Sequence, residues 1–226
     1  MSAITPTING SALSVYGAEL LDNYSVGAVE YSNGYLKSVD RAFPVKLRGK
    51  MGLRPITMTM DFSGETEAEA VGHISSLTAS LMQQADLYLP DGFYYWAALD
   101  GVSAPKKVAP WIWQATFTFH GVRHGALVTS TRTVSGSITA QGNMETPMIV
   151  KLTPTSGATS MVFNGVTVNL NRAVTIDGVN TTVQDNNGLN VFGYTNMTEW
   201  LKLKPGSNAI TLTRCTAEIK YYPIFV

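Results

Sequence analysis

The sequence predicts a mainly β protein with one principal helix: an α+β domain over residues 1–128, followed by an antiparallel β-sandwich over 129–226. Three observations predict it. Apolar and polar residues alternate with period two in several long runs. One stretch alone, Thr66 to Ala85, carries a helical stripe. In the second half, Asn-Gly and Asp-Gly pairs punctuate short β-rich runs, the chemistry of tight hairpins.

In chain order, Ile56, Met58, Met60 and Phe62 alternate with Thr57, Thr59 and Asp61, which gives a strand with one apolar face. The helix follows: Ala70, Val71, Ile74, Leu77, Leu81 and Ala85 recur three or four apart. Thr66 and Glu69 have capping-box spacing, with Glu65 and Glu67 where a helix N-terminus favours negative charge. Gly72 and His73 interrupt its first turns. Pro90-Asp91-Gly92 then forms a turn between Leu87–Leu89 and Phe93–Trp96. Trp111, Trp113, Ala115, Phe117 and Phe119 make a second strand with an apolar face, and alternation assigns both tryptophans to the core.

From about Gly121 to Gly142 the texture changes to Ser, Thr and Gly, which marks a domain boundary. Beyond it, Asn164-Gly165 joins Met161–Phe163 to Val166–Val168, and Asp177-Gly178 joins Val174–Ile176 to Val179; both suit two-residue hairpins. In WLKLKPGSNAITLT, residues 200–213, a tight turn at Pro205–Asn208 separates two alternating runs. Ile210 and Leu212 face the core there with Thr211 and Thr213 outward, or the reverse if the register slips.

Charged residues make up 14% of the 226 positions, where about 25% is usual, and the formal net charge is zero. Low charge favours association, so the composition fits a surface covered by other subunits. It fits equally a β protein whose polar face is Thr, Ser and Asn. The one cysteine, Cys215, excludes an internal disulfide and reads as a small buried residue. The start lacks the charged and apolar regions of a signal peptide, and the longest apolar run, Phe93–Leu99, is too short to span a bilayer.

Catalytic chemistry is hard to find. The histidines, His73, His120 and His124, have no ligand spacing around them. Asp185-Asn186-Asn187-Gly188 resembles part of a calcium loop, but Val183 and Tyr194 stand where an EF-hand needs ligands, so it reads as a polar loop. No nucleophile elbow, phosphate loop or dinucleotide fingerprint occurs. Asp61, Glu145 and Glu199 are scattered in sequence and define no carboxylate pair. No catalytic, cofactor-binding or metal-binding residue is assigned.

Two features invite binding. Arg41, Lys46, Arg48, Lys50 and Arg54 crowd one window, with Lys46, Arg48 and Lys50 on one face of an extended strand. Contact with phosphates or an acidic partner is one reading; a solvated face that resists edge-to-edge pairing is the other. Tyr94, Tyr95, Trp96, Trp111, Trp113 and Trp200 could stack on sugars or fill cores, and Trp200 stays open between the two.

Together these stretches resemble a known family. INGSALSVYGAELL, GLRPITMTMDFSG with the helix after it, and LYLPDGFYYWAAL are similar to the N-terminal domain of distal tail (Dit) proteins of long-tailed, siphovirus-type bacteriophages. MVFNGVTVNLNRAVTIDG, WLKLKPGSNAITLT and EIKYYPIF resemble that family's galectin-like sandwich domain. The resemblance runs over nearly the whole chain in order. It implies a hexameric ring at the virion tail tip, assembled in the bacterial cytoplasm. The ring would sit between the tail tube protein and the tail-associated hub protein, with tape-measure and receptor-binding proteins as further neighbours. Viral DNA would pass through the channel without specific binding. The family implies no enzyme activity, no cofactor and no membrane insertion.

On this reading, the Arg41–Arg54 segment and the acidic helix start, Glu65 and Glu67, form complementary patches between ring subunits. Two other functions stay open. One is a carbohydrate-binding module engaging host cell-wall glycans through the C-terminal sandwich. The other is a hydrolase fused to a β module.

Overall fold

The computed structural model describes residues 4–36 and 45–226, with the side chains of 32–36 and 45–51 outside that description. The described chain is mainly strand with one α-helix, and it forms two compact units, Met1–Arg123 and His124–Val226. Each has its own apolar core.

The first unit is built on an antiparallel pairing of two long strands, Arg54–Ser63 and Ile112–His124. Their register sets Met60 opposite Ala115, Met58 opposite Phe117 and Ile56 opposite Phe119. All six side chains are buried. Side chains alternate across a strand, so this one register sends every apolar residue of both runs to the same face. Each large side chain so buried contributes roughly 1.5–3 kcal/mol. The sheet continues through Tyr94–Val102, Ala85–Tyr88, Thr7–Ile8 and Ser11–Ala12 on one side and Ala18–Leu20 on the other. Tyr31–Leu36 and Val45–Met51 form a separate antiparallel pair.

The helix, Glu67–Ser80, packs Ala70, Ile74 and Leu77 into this core. Thr66 caps it by accepting the Glu69 amide at 3.2 Å, and the Glu69 carboxylate reaches back to the Glu65 amide at 2.7 Å. The reciprocal bond thus lands one residue before the capping-box position. The helix also ends earlier than its stripe suggests. The Leu81 amide divides its bond between Leu77 and Thr78, and Ala85 opens a strand opposite Ala97. Leu81 and Ala85 are buried, but only Leu81 is by virtue of the helix. Tertiary pairing decides the boundary.

Trp111 departs from the expected core stripe. Pro110 and Trp111 form the turn between Lys106–Ala109 and Ile112–His124, and Trp111 takes φ 61° with 56% of its surface exposed. Positive φ at the second central position, after proline, belongs to a type II turn. Strand alternation therefore begins only at Ile112, and Trp113 is half-buried against the core.

In the second unit, a sheet runs in the order Val128–Arg132, Cys215–Tyr221, Thr146–Pro154, Val174–Asp177, Thr182–Asp185. Facing it are the pair Gly136–Ala140 with Gly206–Ile210 and the trio Val166–Val168, Met161–Phe163 and Leu212–Thr213. Met148, Val150, Leu152, Ala217 and Ile219 on one side and Ile138, Phe163, Val168 and Ile210 on the other share one core, as a β-sandwich requires. Cys215 is buried there, and burial pushes its thiol pKa up.

Asn164 and Gly165, at φ 47° and 82°, make the expected two-residue hairpin. Asp177-Gly178 does not. The Asp177 carboxylate accepts the Val179 and Asn180 amides at 2.9 Å each, and the chain returns only at Thr182, with Thr181 at φ 53°. Gly178 is needed for space: a Cβ there would lie 2.9 Å from the Met148 carbonyl oxygen.

The runs flanking Pro205–Asn208 do not pair with each other. Lys202–Leu203 pairs with Thr146–Pro154, whereas Gly206–Ile210 pairs with Gly136–Ala140. Gly206, at φ 86°, and the Asn208 side chain, bonded to the Lys204 amide and carbonyl at 2.9 and 2.8 Å, turn the chain from one layer to the other. Ile210 is buried and Leu212 half-buried against the core.

Candidate functional site

Of the residues expected at a subunit interface, Arg41 lies outside the described residues. Lys46, Arg48 and Lys50 occupy alternate positions of Val45–Met51, opposite Tyr35, Gly34 and Ser32, with a register shift between Gly34 and Tyr35. Arg54 starts the long core strand, and its Nη1 donates to the Gly27 carbonyl at 3.0 Å. Glu65 and Glu67 stand together at the helix start, both exposed, and Glu67 pairs with Lys107 of the same chain. Of the three whose side chains are described, Arg54 and Glu67 already have partners within the chain.

The three histidines are dispersed. His73 Nδ1 meets the Ser63 carbonyl at 2.8 Å, His120 pairs with Asp100, and buried His124 meets the Gly125 carbonyl at 2.8 Å. Among the described residues, no three His, Cys, Asp or Glu side chains converge. Asp61 accepts from Gln114 at 2.9 Å across the central strand pair, so it belongs to the sheet.

Glu145 and Glu199, 54 residues apart in sequence, border the same groove. It is open, of about 1090 Å³, and lies in the second unit, lined also by Asn164, Asn196, Trp200, Lys202 and Lys204. The groove floor is apolar, from Met148, Val166 and Met197. Sequence spacing could not have found it, because its residues come from three separate segments. Both carboxylates are exposed.

The loop after Thr182–Asp185 is organised from within. Asp185 is buried, and its Oδ1 accepts the Asn187 and Leu189 amides at 2.9 and 3.0 Å. The Asp185 carboxylate is paired within the chain, with Arg172 Nε 2.9 Å from its Oδ2. The loop presents Leu189, Phe192 and Tyr194 outward, and Phe192 lies 6.2 Å from Trp200, ring to ring.

No family model matches the sequence, and neither does any curated protein. Solved structures do. The SPP1 Dit protein, described as a paradigm of the hub adsorption apparatus in phages infecting Gram-positive bacteria, matches with a TM-score of 0.72. At 16% identity, the match covers 98% of this chain and 99% of that one. The chain has the Dit fold. Two structures of the phage P2 baseplate in its activated conformation also match at 12% identity. The one with strontium reaches a TM-score of 0.64 over 98% of this chain and 99% of that one, and the one with calcium 0.61 over 94% and 92%. The Dit fold bears out the resemblance read from the two sets of sequence stretches, since the match spans both units.

Proposed function

We propose that the chain is a structural protein of a phage tail tip, a ring subunit that joins the tail tube to the hub and host-adhesion apparatus. The observation that carries this reading is the end-to-end fold match: both units, in order, align with a phage hub protein. A protein carrying the Dit fold through one unit alone would suit many roles. Two units in the same order suit the same mechanical one.

The physical chemistry agrees. Charged residues are 14% of the chain and the net charge is zero, so little repulsion keeps copies apart. Val15 and Trp111 of the first unit are 71% and 56% exposed, apolar surface that association would cover. A closed ring is built from a heterologous contact, in which different patches meet head to tail. The basic strand Val45–Met51 and the acidic helix start are such patches, on separate elements of the first unit. The ring is hexameric in this reading and encircles the channel for DNA, with no reaction assigned to the chain.

Negative-stain microscopy and light scattering of the purified chain test it. Sixfold rings and a mass of six subunits are expected. A chain that stays single at every concentration up to its solubility limit refutes self-assembly into a ring.

A further inference from the structure

The groove of the second unit contains none of the residues proposed for the ring contact. Its rim carries Glu145, Glu199, Lys202 and Lys204, two carboxylates and two ammonium groups, all exposed. Among the described residues none of the four is engaged in an ion pair. Two amides are already oriented. Asn164 Oδ1 accepts the Thr211 amide at 2.8 Å, and Asn196 Oδ1 accepts the Thr167 amide at 2.7 Å. With the oxygens turned into the fold, the NH₂ ends are the parts left to a ligand; that of Asn196 is held only by a long 3.5 Å contact to Gly165. Trp200, half-buried, supplies an aromatic wall, extended outside the groove by Phe192, 44% exposed.

We propose that this groove binds a neutral oligosaccharide. A sugar ring offers an apolar C–H face and an edge of hydroxyls that both donate and accept. The groove offers an aromatic wall over an apolar floor, and donors and acceptors in balance at its rim. Equal numbers of acids and lysines give no preference for a charged polymer. A peptide strand is disfavoured because the neighbouring sheet edge is closed. Asn196 N donates to Thr167 O at 3.3 Å and Asn169 N to Tyr194 O at 2.9 Å, so the segment 194–196 already covers Val166–Val168.

The chain has four tryptophans, and Trp200 is the only one in the second unit. Fluorine NMR of the full chain labelled with 5-fluorotryptophan therefore isolates the groove. The probes are tetrasaccharides of α-linked glucose, β-linked glucose and N-acetylglucosamine, with polyglycerol phosphate as the anionic comparison. One neutral tetrasaccharide should move the Trp200 resonance saturably and leave the other three in place. Trp200→Ala should abolish binding, read by calorimetry. Glu199→Gln, at an exposed position that leaves packing intact, should weaken it about tenfold, the loss of one charge-assisted hydrogen bond. The proposal is overturned by the absence of any saturable shift from the neutral probes, by a shift seen only with polyglycerol phosphate, or by unchanged affinity in Glu199→Gln. All groove residues lie in one unit, so failure of ring assembly leaves this test standing.

Discussion

Asp185 and Arg172 form an ion pair at 2.9 Å in which the Asp185 side chain is fully enclosed and the Arg172 side chain is 42% exposed. The pair closes the loop that carries Phe192 and Tyr194. Asp185 also holds the loop through its own backbone, whose amide donates to Leu189 O at 3.0 Å. Burial pushes the Asp185 pKa up, but the Leu189 and Asn187 amides and Arg172 outweigh it, and the carboxyl is held below its ordinary value.

Acid sensitivity follows from that shift. A carboxyl whose folded pKa is depressed contributes stability above its unfolded value of about 3.9, and loses it as pH falls through the lower folded value. Asp185→Asn keeps the shape and an acceptor for the loop amides while removing the charge. We expect its melting temperature to lie below that of the unaltered chain at about pH 7, and the gap to narrow as pH is lowered towards about 2. Circular dichroism melts at both ends of the range check this. An identical gap throughout would mean that the charge of Asp185 contributes nothing.

Two glycines separate strain from crowding. Gly10 and Gly17 both take positive φ, 76° and 59°. A Cβ on Gly10 meets nothing within 4 Å, whereas one on Gly17 would sit 2.2 Å from His73 Nδ1 and 2.8 Å from the Ser63 carbonyl oxygen. The histidine can rotate, but the carbonyl is fixed by its strand. Gly10→Ala should therefore cost about 1 kcal/mol, the left-handed conformation alone. Gly17→Ala should cost roughly 2–4 kcal/mol, strain plus overpacking. Urea unfolding of both variants decides, and equal losses would remove crowding from the account.

How much of this was legible in the sequence depends on whether a feature is local. The stripe Ile56–Phe62, the Thr66 cap and the Asn164-Gly165 hairpin were readable because each is fixed by neighbours within a few residues. Trp111 misled because alternation extrapolates through a turn, and only the pairing of Lys106–Ala109 shows where the strand begins. Pro205–Asn208 misled for a related reason. Its turn chemistry is right, but a turn does not say whether the strands it joins pair with each other or belong to facing layers. The groove was out of reach, since Glu145, Asn164 and Glu199 converge only after the sandwich closes.

The basic strand gives the sharpest test of the ring. Lys46 and Arg48 sit on a strand that pairs only with Tyr31–Leu36 among the described elements, apart from the main sheet of the first unit. Charge reversal there, Lys46→Glu with Arg48→Glu, should therefore leave the cores intact and the melting temperature of the single subunit nearly unchanged. If these residues meet the acidic helix start of the next subunit, attraction becomes repulsion at every contact around the ring, and like charges facing across an interface cost several kcal/mol. Rings should give way to single subunits in light scattering. Raising salt should loosen the unaltered ring as well, because such rim charges are screened over about 10 Å at 0.1 M. Glu67 already pairs with Lys107, so Glu65 should carry more of the contact than Glu67. Glu65→Lys in the reversed background should then restore assembly better than Glu67→Lys. Unaltered rings in the reversed variant would remove this strand from the interface.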